Sequence, residues 1–289
     1  MNITLRVYLL QIFIGLSLGV IYAMMASGLS LIFGLMRVVN FAHGSFYMLG
    51  AYTLVYLISF GGNFWICLLG ASILVGILGM LVEIGGIRPL YGTEEFNPLL
   101  LTLGLNYVFV DIARILFGLG GIGSSIPKAL DGMLNLGFMM FPTYRFFIIV
   151  IGAAVLFFVW LFINKTNLGM IVRAGTKDNE MVQMLGINIR IVWTFVFGLG
   201  IAMAALSGVL IAPLTGVMPE MGSFMVIEAF VVVVIGGMGS FAGSILAAIL
   251  VGQVIAVTNL FYPQAGTVAI FVLMVVVLLT RKAGLFGEG

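Results

Sequence analysis

Charge is scarce in this chain, and cysteine and histidine are almost absent. Charged residues make up 8% of the 289 residues, and the chain has one cysteine, Cys67, and one histidine, His43. Soluble domains carry about 25% charged residues. One cysteine and one histidine cannot form a disulfide framework or a zinc cluster. We therefore expect neither a soluble domain nor a cofactor or metal site.

Catalytic motifs are also missing. The sequence contains no phosphate loop of the Gly-x-x-x-x-Gly-Lys-Ser/Thr type, no Gly-x-Ser-x-Gly elbow and no His-Glu-x-x-His pair. The chain is therefore not predicted to be an enzyme, and any transport that ATP drives needs a separate ATPase. The net charge of +2 comes from cations between apolar runs, which indicates membrane topology and not nucleic-acid binding.

Long apolar runs are abundant. Hydrophobic residues make up 63% of the chain, and a helix needs about 20 apolar residues to cross a bilayer core. The sequence predicts an all-α polytopic membrane protein with a single transmembrane domain, residues 1–289, and about nine (eight to ten) transmembrane helices. The predicted segments are 8–34, 41–60, 64–83, 98–118, 145–163, 191–213, 224–238, 241–260 and 266–280.

The first predicted segment is unusually long. Its apolar run follows Arg6 and exceeds the 7–15 residues of a signal peptide core, which predicts a retained transmembrane helix. About 27 residues span about 40 Å as a helix. The segment should therefore tilt, or break near Gly28 or Gly34.

Small residues recur every four positions in three segments, which predicts closely packed helices. A faint internal repeat begins in the first two of these ladder segments: Ser27-Gly28-Leu29, Gly34-Leu35-Met36 and Gly44-Ser45-Phe46 are matched in order by Ser207-Gly208-Val209, Gly216-Val217-Met218 and Gly222-Ser223-Phe224. Its copies start five crossings apart, as in inverted repeats of transporters. The three ladders are Gly15, Gly19, Ala23 and Ser27; Gly200, Ala204, Gly208 and Ala212; and Ser244, Ala248, Gly252 and Ala256.

One long polar stretch, residues 164–190, interrupts the apolar sequence; we call it the polar island. Its four cations favour the cytoplasmic side. Alternating crossings then put eight cations inside and four outside, and with nine crossings they put the N-terminus outside. The inside cations are Arg37, Arg88, Lys165, Arg173, Lys177, Arg190, Arg281 and Lys282, and the outside cations are Arg6, Arg114, Lys128 and Arg145.

Two interruptions of helical pattern stand out, because broken helices at membrane depth line protein or water-filled cavities. The first break runs from Arg37 to Ser45, where Asn40 or Ser45 could cap the next helix and Gly44 could allow a turn. The second break runs from Gly236 to Ser244 and is rich in glycine. An aqueous turn at the membrane face and a transport pathway both fit these breaks.

A few polar side chains in apolar segments are candidates for a pathway or for helix contacts. His43 fits a hydrogen-bonded interfacial residue better than a proton relay, and Asp111 and Arg114 are spaced to pair with each other. Glu228 has no partner nearby in sequence, so it is the better functional candidate. The candidate pathway residues are Asn40, His43, Gly44, Ser45, Thr102, Asn106, Glu228, Gly236 and Gly237.

Within the polar island, Met181, Met184 and Leu185 fall on one face of a helix. Such a helix can lie in a groove of a soluble partner or flat on the lipid surface. The pattern alone does not choose between these two interpretations.

Several motifs resemble one known family. The stretch from Gly28 to Tyr52, GLSLIFGLMRVVNFAHGSFYMLGAY, resembles the N-terminal signature of the shorter permease subunit of branched-chain amino acid ABC importers. The similarity covers most of the chain. Further matching motifs are Arg88-Pro89-Leu90, Thr102-Leu103-Gly104, Arg173-Ala174, Asp178, Leu185-Gly186-Ile187 and Ile235-Gly236-Gly237-Met238-Gly239-Ser240.

The resemblance implies a type II-like ABC importer permease in a bacterial plasma (inner) membrane. It implies a second permease subunit, two cytoplasmic ATPases and an extracytoplasmic substrate-binding protein as partners. In the polar island it implies a coupling helix that binds an ATPase groove. The expected coupling residues are Arg173, Ala174, Asp178, Met181, Met184, Leu185 and Gly186.

Two departures and two alternatives accompany this resemblance. Val182 stands where the family pattern has alanine, which would alter the fit to the ATPase. The loop 119–143 carries none of the matching motifs, so the resemblance does not determine any contact with a binding protein. A permease for urea or short amides shares the same motifs. An ion-coupled secondary transporter would need buried carboxylates, for which Glu228 and Asp111 are the weak candidates.

Overall fold

The computed structural model describes residues 3–94, 96–137 and 139–287 and is mainly helical there. Its α-helices are α1 (Ile3–Met36), α2 (His43–Ser59), α3 (Phe64–Val82), α4 (Phe96–Phe117), α5 (Thr143–Lys165), α6 (Asn167–Lys177), α7 (Asn179–Met184), α8 (Ile189–Thr215), α9 (Met221–Gly236), α10 (Phe241–Phe261) and α11 (Gly266–Thr280). A π-helical turn (Glu83–Ile87) and a 3-10 turn (Arg88–Leu90) extend α3. Two short antiparallel strands, β1 (Met133–Asn135) and β2 (Met140–Pro142), precede α5.

Each predicted membrane segment corresponds to a helix, which confirms the all-α prediction. Within the described residues, six helices are long and apolar enough to cross a membrane. The helices α9 and α11 are apolar but shorter, so nine crossings remains a prediction. The chain is a multi-pass membrane protein.

Of the two alternatives predicted for the first segment, a tilt or a break, the break is excluded, because α1 continues through Gly28 and Gly34 to Met36. Both glycines serve helix packing. A Cβ on Gly28 would approach the backbone of Gly200 in α8, and a Cβ on Gly34 would lie 3.1 Å from the Cα of Gly239. Residues without a side chain let helix backbones approach this closely.

Two of the predicted ladders pack against each other. Gly15 and Gly19 in α1 meet the backbone of α10 near Gly252 and Ala248, and the amide of Gln253 donates to the Ile12 carbonyl oxygen at 3.0 Å. Residue numbers rise along α1 as they fall along α10, so the helices are antiparallel. The contact buries small residues along a continuous seam.

The contacts of α3, α8, α2 and α9 fit the predicted inverted repeat. Gly76 and Gly79 of α3 pack on α8, which mirrors the seam between α1 and α10. Gly44 and Gly222, matched positions of the repeat, also meet each other: a Cβ on either would overlap the backbone oxygen of the other. Reciprocal contact of equivalent residues is what a two-fold axis produces.

Candidate functional site

The polar island folds into two short helices, α6 and α7, and not into one amphipathic helix. The Thr166 hydroxyl accepts a hydrogen bond from the Gly169 amide at 3.0 Å and caps α6. The Asp178 carboxylate accepts one from the Met181 amide at 2.9 Å and caps α7. Side-chain acceptors satisfy amides that a helix start leaves without partners, so the polar residues of the island define where both helices begin.

The three apolar side chains predicted to share a face are exposed. Met181 is 62% exposed, Met184 84% and Leu185 75%; we call these three residues the α7 face. Val182, between them, is 3% exposed and packs in the hydrophobic core. The expectation that Val182 tunes the fit to a partner was therefore wrong, since its side chain points into this protein.

The other predicted coupling residues divide into two groups. Ala174 is exposed, and so is Gly186, which takes a φ of +79° just after α7. Arg173 and Asp178 also make contacts within the chain: the Arg173 guanidinium donates to the Ile163 carbonyl oxygen, and Asp178 caps α7. These two residues position the island.

The island is joined to the end of α1. The side-chain amide of Asn179, the first residue of α7, donates to the Leu35 carbonyl oxygen at 3.3 Å. A Cβ on Gly175 of α6 would lie 2.9 Å from a Leu35 methyl carbon. Arg37, two residues after Leu35, has a φ of +52°, a conformation that is uncommon outside glycine. The island therefore contacts α1 close to the point where the α1 helix ends and its backbone changes direction.

The first break is held by α4. The Phe41 amide donates to the Thr102 hydroxyl oxygen at 3.2 Å, and the same hydroxyl lies 3.3 Å from the Val39 carbonyl oxygen. The predictions for capping were wrong, because Ala42 is the cap residue of α2 and no side chain caps it. Gly44 was predicted to make a turn but lies inside α2, where it allows the contact with Gly222.

Asn40 and His43 are fully enclosed. Within the described residues, neither polar atom of the Asn40 side chain has a hydrogen-bond partner, although the residue is 1% exposed. His43 Nε2 lies 3.1 Å from the Met25 carbonyl oxygen. That oxygen only accepts, so Nε2 carries the proton and Nδ1 is left as an acceptor. The predicted hydrogen bonding of His43 is confirmed, and its side chain is buried against Met25 of α1.

A polar cluster joins α2, α4 and α9. The Ser45 hydroxyl donates to Asn106 Oδ1 at 2.7 Å, and Asn106 Nδ2 donates to the Ser223 hydroxyl oxygen at 3.5 Å. Ser45 and Ser223 are matched positions of the predicted repeat. The predicted shared face of Thr102 and Asn106 is confirmed, as both are buried. Asn106 bridges the two halves of the chain near the contact of Gly44 with Gly222.

Glu228 has a partner far away in sequence. It lies in α9, and the Tyr22 hydroxyl of α1 donates to its Oε2. Sequence reasoning missed Tyr22, because no pattern links residues 206 positions apart. The carboxylate is therefore a contact between two helices as well as a pathway candidate.

The second break meets the first break at a cavity of about 820 Å³. Helix α9 ends at Gly236, Gly237 has a φ of +99°, and the Ser240 hydroxyl caps α10 by accepting from the Gly243 amide at 3.1 Å. The wall combines both breaks, the end of α6 and the C-terminal residues; it includes Gly34, Arg37, Val39, Lys177, Gly239, Ser240 and Phe286.

The chain segment after α11 closes the end of α9. The Leu285 amide donates to the Ile235 carbonyl oxygen at 2.8 Å, and the Phe286 amide donates to the Gly236 carbonyl oxygen at 3.1 Å. A helix end leaves its last carbonyl groups without partners inside the helix. The amides of Leu285 and Phe286 supply partners for two of these carbonyl groups, and Phe286 also forms part of the cavity wall.

An ion-pair cluster links α4 to the loop before α9. Arg114 donates to Asp111 at 2.9 Å, which confirms the predicted pair, and also to Glu220 Oε1 at 2.8 Å. The hydrogen bond from the Arg114 guanidinium holds the pKa of Glu220 below its ordinary value of 4.5. Both carboxylates are exposed.

Sequence reasoning missed a second buried carboxylate. Glu83 is fully buried at the end of α3, where it forms a salt bridge with Arg88 at 3.0 Å. The spacing of five residues hid this pair, because residues on an α-helix meet at spacings of three and four. A π-helical turn brings them together. Within the part of the chain that is described, no group of three His, Cys, Asp or Glu side chains could hold a metal ion.

Comparison with known proteins identifies relatives over nearly the whole chain. Residues 11–279 match the family model for the permease component of branched-chain amino acid transport systems. The high-affinity branched-chain amino acid transport system permease protein BraD of Pseudomonas aeruginosa is 32% identical, with 97% of this chain and 96% of that protein covered. LivH of Escherichia coli is 27% identical with the same coverage. LivM, another permease protein of that E. coli system, is 31% identical over 81% of this chain and 60% of its own length.

Proposed function

This chain belongs to the family of permease components of branched-chain amino acid transport systems, and we propose that it is the permease subunit of an ABC importer. It carries branched-chain or other hydrophobic amino acids inward across the bacterial inner membrane by alternating access. The observation that carries this proposal is the family match over residues 11–279. The urea permease alternative and the ion-coupled transporter have no comparable support.

The α7 face is the proposed docking surface for a partner ATPase. Its three apolar side chains are exposed at the tip of a polar segment, and a short helix with exposed apolar residues fits a groove on a soluble protein. The chain itself has no phosphate loop. ATP hydrolysis is therefore assigned to two separate cytoplasmic subunits, and the island and the C-terminus lie on their side of the membrane. The positive-inside distribution supports this orientation, and nine crossings would put the N-terminus outside.

Coupling runs from the α7 face to the first break. ATP-driven closure of the ATPases displaces α7, and the bond from Asn179 to Leu35 passes the movement to the end of α1. The strained backbone at Arg37 is a natural pivot, since strained conformations of this kind cluster at switch regions. Ala174 and Gly186 extend the docking surface, and Arg173 and Asp178 hold its shape.

The pathway is proposed to pass between the first break and α4. Asn40 supports this assignment, because its buried amide has no hydrogen-bond partner among the described residues and therefore costs stability without adding a contact to the fold. His43, Ser45, Thr102 and Asn106 supply further polar groups, and Gly44 keeps α2 and α9 close. The cavity at the second break, beside Gly236 and Gly237, is the cytoplasmic exit. Glu228 with Tyr22 stabilises the neighbouring helices α9 and α1.

The proposed partner permease is a longer homologue. Two E. coli permease proteins of one system, LivH and LivM, both match this chain, and LivM is covered over only 60% of its length. That pair supports a heterodimer of a shorter and a longer permease here. A substrate-binding protein on the outer face completes the importer, and residues 118–142 with β1 and β2 are available for that contact.

The test is reconstitution of the co-purified complex into proteoliposomes with its binding protein. We expect uptake of leucine, isoleucine or valine that requires ATP on the side of the membrane where the ATPases are bound. Uptake of urea or acetamide in place of these amino acids would overturn the substrate assignment. Uptake that follows an ion gradient without ATP would overturn the transporter class.

A further inference from the structure

The buried carboxylate of Glu83 lies at the junction of three parts of the chain. Its oxygens accept from Arg88 Nε at 3.3 Å and Nη2 at 3.0 Å, from the Tyr91 hydroxyl at 2.8 Å and from the Thr194 hydroxyl at 2.7 Å. Arg88 also donates to the Thr194 oxygen. We call these four residues the Glu83 cluster. Four charge-assisted donors satisfy the buried carboxylate.

The cluster continues the contact of α3 with α8. Gly76 and Gly79 pack against Ala202 and Ile201, and Met80 packs against Gly198. Beyond Met80 the chain continues into the π-helical turn, and the hydrogen bond from Thr194 to Glu83 carries the contact with α8 one turn further. The first turns of α8 are thereby tied to α3.

The cluster also reaches α1. The Tyr91 ring meets the Trp193 ring of α8 edge to face with centroids 4.7 Å apart, and its hydroxyl lies 4.0 Å from the sulfur of Met36, the last residue of α1. Only residues 185–188 separate α7 from α8. A movement of α7 therefore enters α8 at the end that the cluster holds.

A buried ion pair is weak evidence for stability, because an apolar pair of similar volume is often as stable. Directional hydrogen bonds do something that an apolar pair does not, since they fix the relative position of the groups they join. The π-helical turn, a rare structure found often at functional sites, brings Arg88 to Glu83. Both features indicate positioning.

We infer that Glu83 is a positioning residue for energy coupling, and this inference rests on the proposed function. The Glu83 cluster holds the start of α8 to the turn after α3. A displacement of α7 by the ATPase is then passed to α3 and to the end of α1 as one unit.

Thr194 offers a matched pair of variants. Thr194→Val keeps the shape and removes the hydroxyl, whereas Thr194→Ser keeps the hydroxyl. In the reconstituted complex, Thr194→Val should lower the substrate transported per ATP hydrolysed by about tenfold or more, because the variant loses both the bond to Glu83 and the bond from Arg88. Thr194→Ser should stay near wild type, and both variants should retain the ATPases. Equal coupling ratios in the two variants would overturn the inference.

A double variant separates positioning from stability. Glu83→Leu combined with Arg88→Leu replaces the ion pair by apolar side chains that can fill the same space. We expect a complex that assembles and hydrolyses ATP but transports poorly per ATP. Full recovery of the wild-type coupling ratio would mean that the pair serves stability only, and would refute the inference.

A third measurement does not depend on the transported substrate. Spin labels at Gly85→Cys and Ile191→Cys report the separation of the turn and α8, since a Cβ at Gly85 meets nothing within 4 Å and Ile191 is exposed. Thr194→Val should broaden the distance distribution in the assembled complex and Thr194→Ser should not. An unchanged distribution in Thr194→Val would reject the cluster as a fixed link, even if the wild-type complex carries another solute or none.

Discussion

The α7 face and the glycine contacts inside the bundle differ in how closely each packs against the rest of the chain. The side chains of the α7 face touch little of this chain, with Met184 84% exposed. Gly44 and Gly222 instead lie so close that neither tolerates a Cβ. Exposure at α7 separates docking from folding, so changes there should abolish a partner contact and leave the bundle intact. Changes at the glycines should instead destabilise the bundle itself.

The largest effect is expected at the glycine contact. Gly44→Ala places a methyl group against the Gly222 backbone oxygen, which cannot move aside as a flexible side chain could. Overpacking of this kind costs about 3 kcal/mol, so the yield of folded protein and its thermal midpoint in detergent should fall. Gly70→Ala in α3 is the control, because nothing lies within 4 Å of a Cβ there. A Gly44→Ala variant as stable as Gly70→Ala would contradict the close contact.

The next effect is expected at the α7 face. Met184→Asp puts a charge into the proposed apolar groove and should cost about 2 kcal/mol or more, as for a hot spot at an interface. Co-purification of the ATPases and uptake should be lost, while membrane insertion and thermal midpoint stay unchanged. Met133→Asp in β1, also an exposed methionine, should retain both ATPases. Retention of both by Met184→Asp would refute the docking assignment.

Asn40 is buried like the glycines, but its replacement is expected to lower transport and not stability. Asn40→Leu removes two buried polar atoms that have no hydrogen-bond partner in the described part of the chain, so stability should stay equal or rise by about 1 kcal/mol, whereas amino acid uptake should fall. Asn106→Leu is the contrast, because it breaks bonds to Ser45 and Ser223 and should lower the thermal midpoint. If Asn40→Leu instead destabilised the protein with unchanged uptake, Asn40 would belong to the scaffold.

The sequence predicted the helices well because apolar length alone sets them. The segment predicted at 266–280 is α11 itself, and the segment predicted at 241–260 differs from α10 by one residue. The α7 face was likewise found from local spacing. Contacts between distant residues could not be found in this way. Tyr22 and Glu228 share no pattern, and the role of Gly44 depends on Gly222.

Two local errors have a physical cause as well. Glycine at positions 28 and 34 predicts a helix break as the alternative to a tilt, but both positions pack against another backbone. Helix α1 continues there because close packing offsets the low helix propensity of glycine. The salt bridge between Glu83 and Arg88 was not predicted, because only a π-helical turn brings residues five apart together and no residue pattern in the sequence predicts that turn.

The smallest effect is expected at the exposed ion pairs of Arg114. They test whether an exposed polar contact, like the exposed α7 face, can be removed with little loss of stability. The pKa of Glu220 is lowered in the folded protein, so its contribution is present above the unfolded pKa and is lost as pH falls through the folded value. Glu220→Gln should lower stability at pH 7 by at most about 1 kcal/mol, as for other exposed pairs. The difference from wild type should begin to shrink near the unfolded pKa of a glutamate, about 4.3, and should vanish only below the lowered pKa of Glu220. Thermal midpoints of the two proteins between pH 3 and 7, measured with Glu94→Gln as the exposed control, should converge at low pH because the attraction between Arg114 and a charged carboxylate no longer exists there.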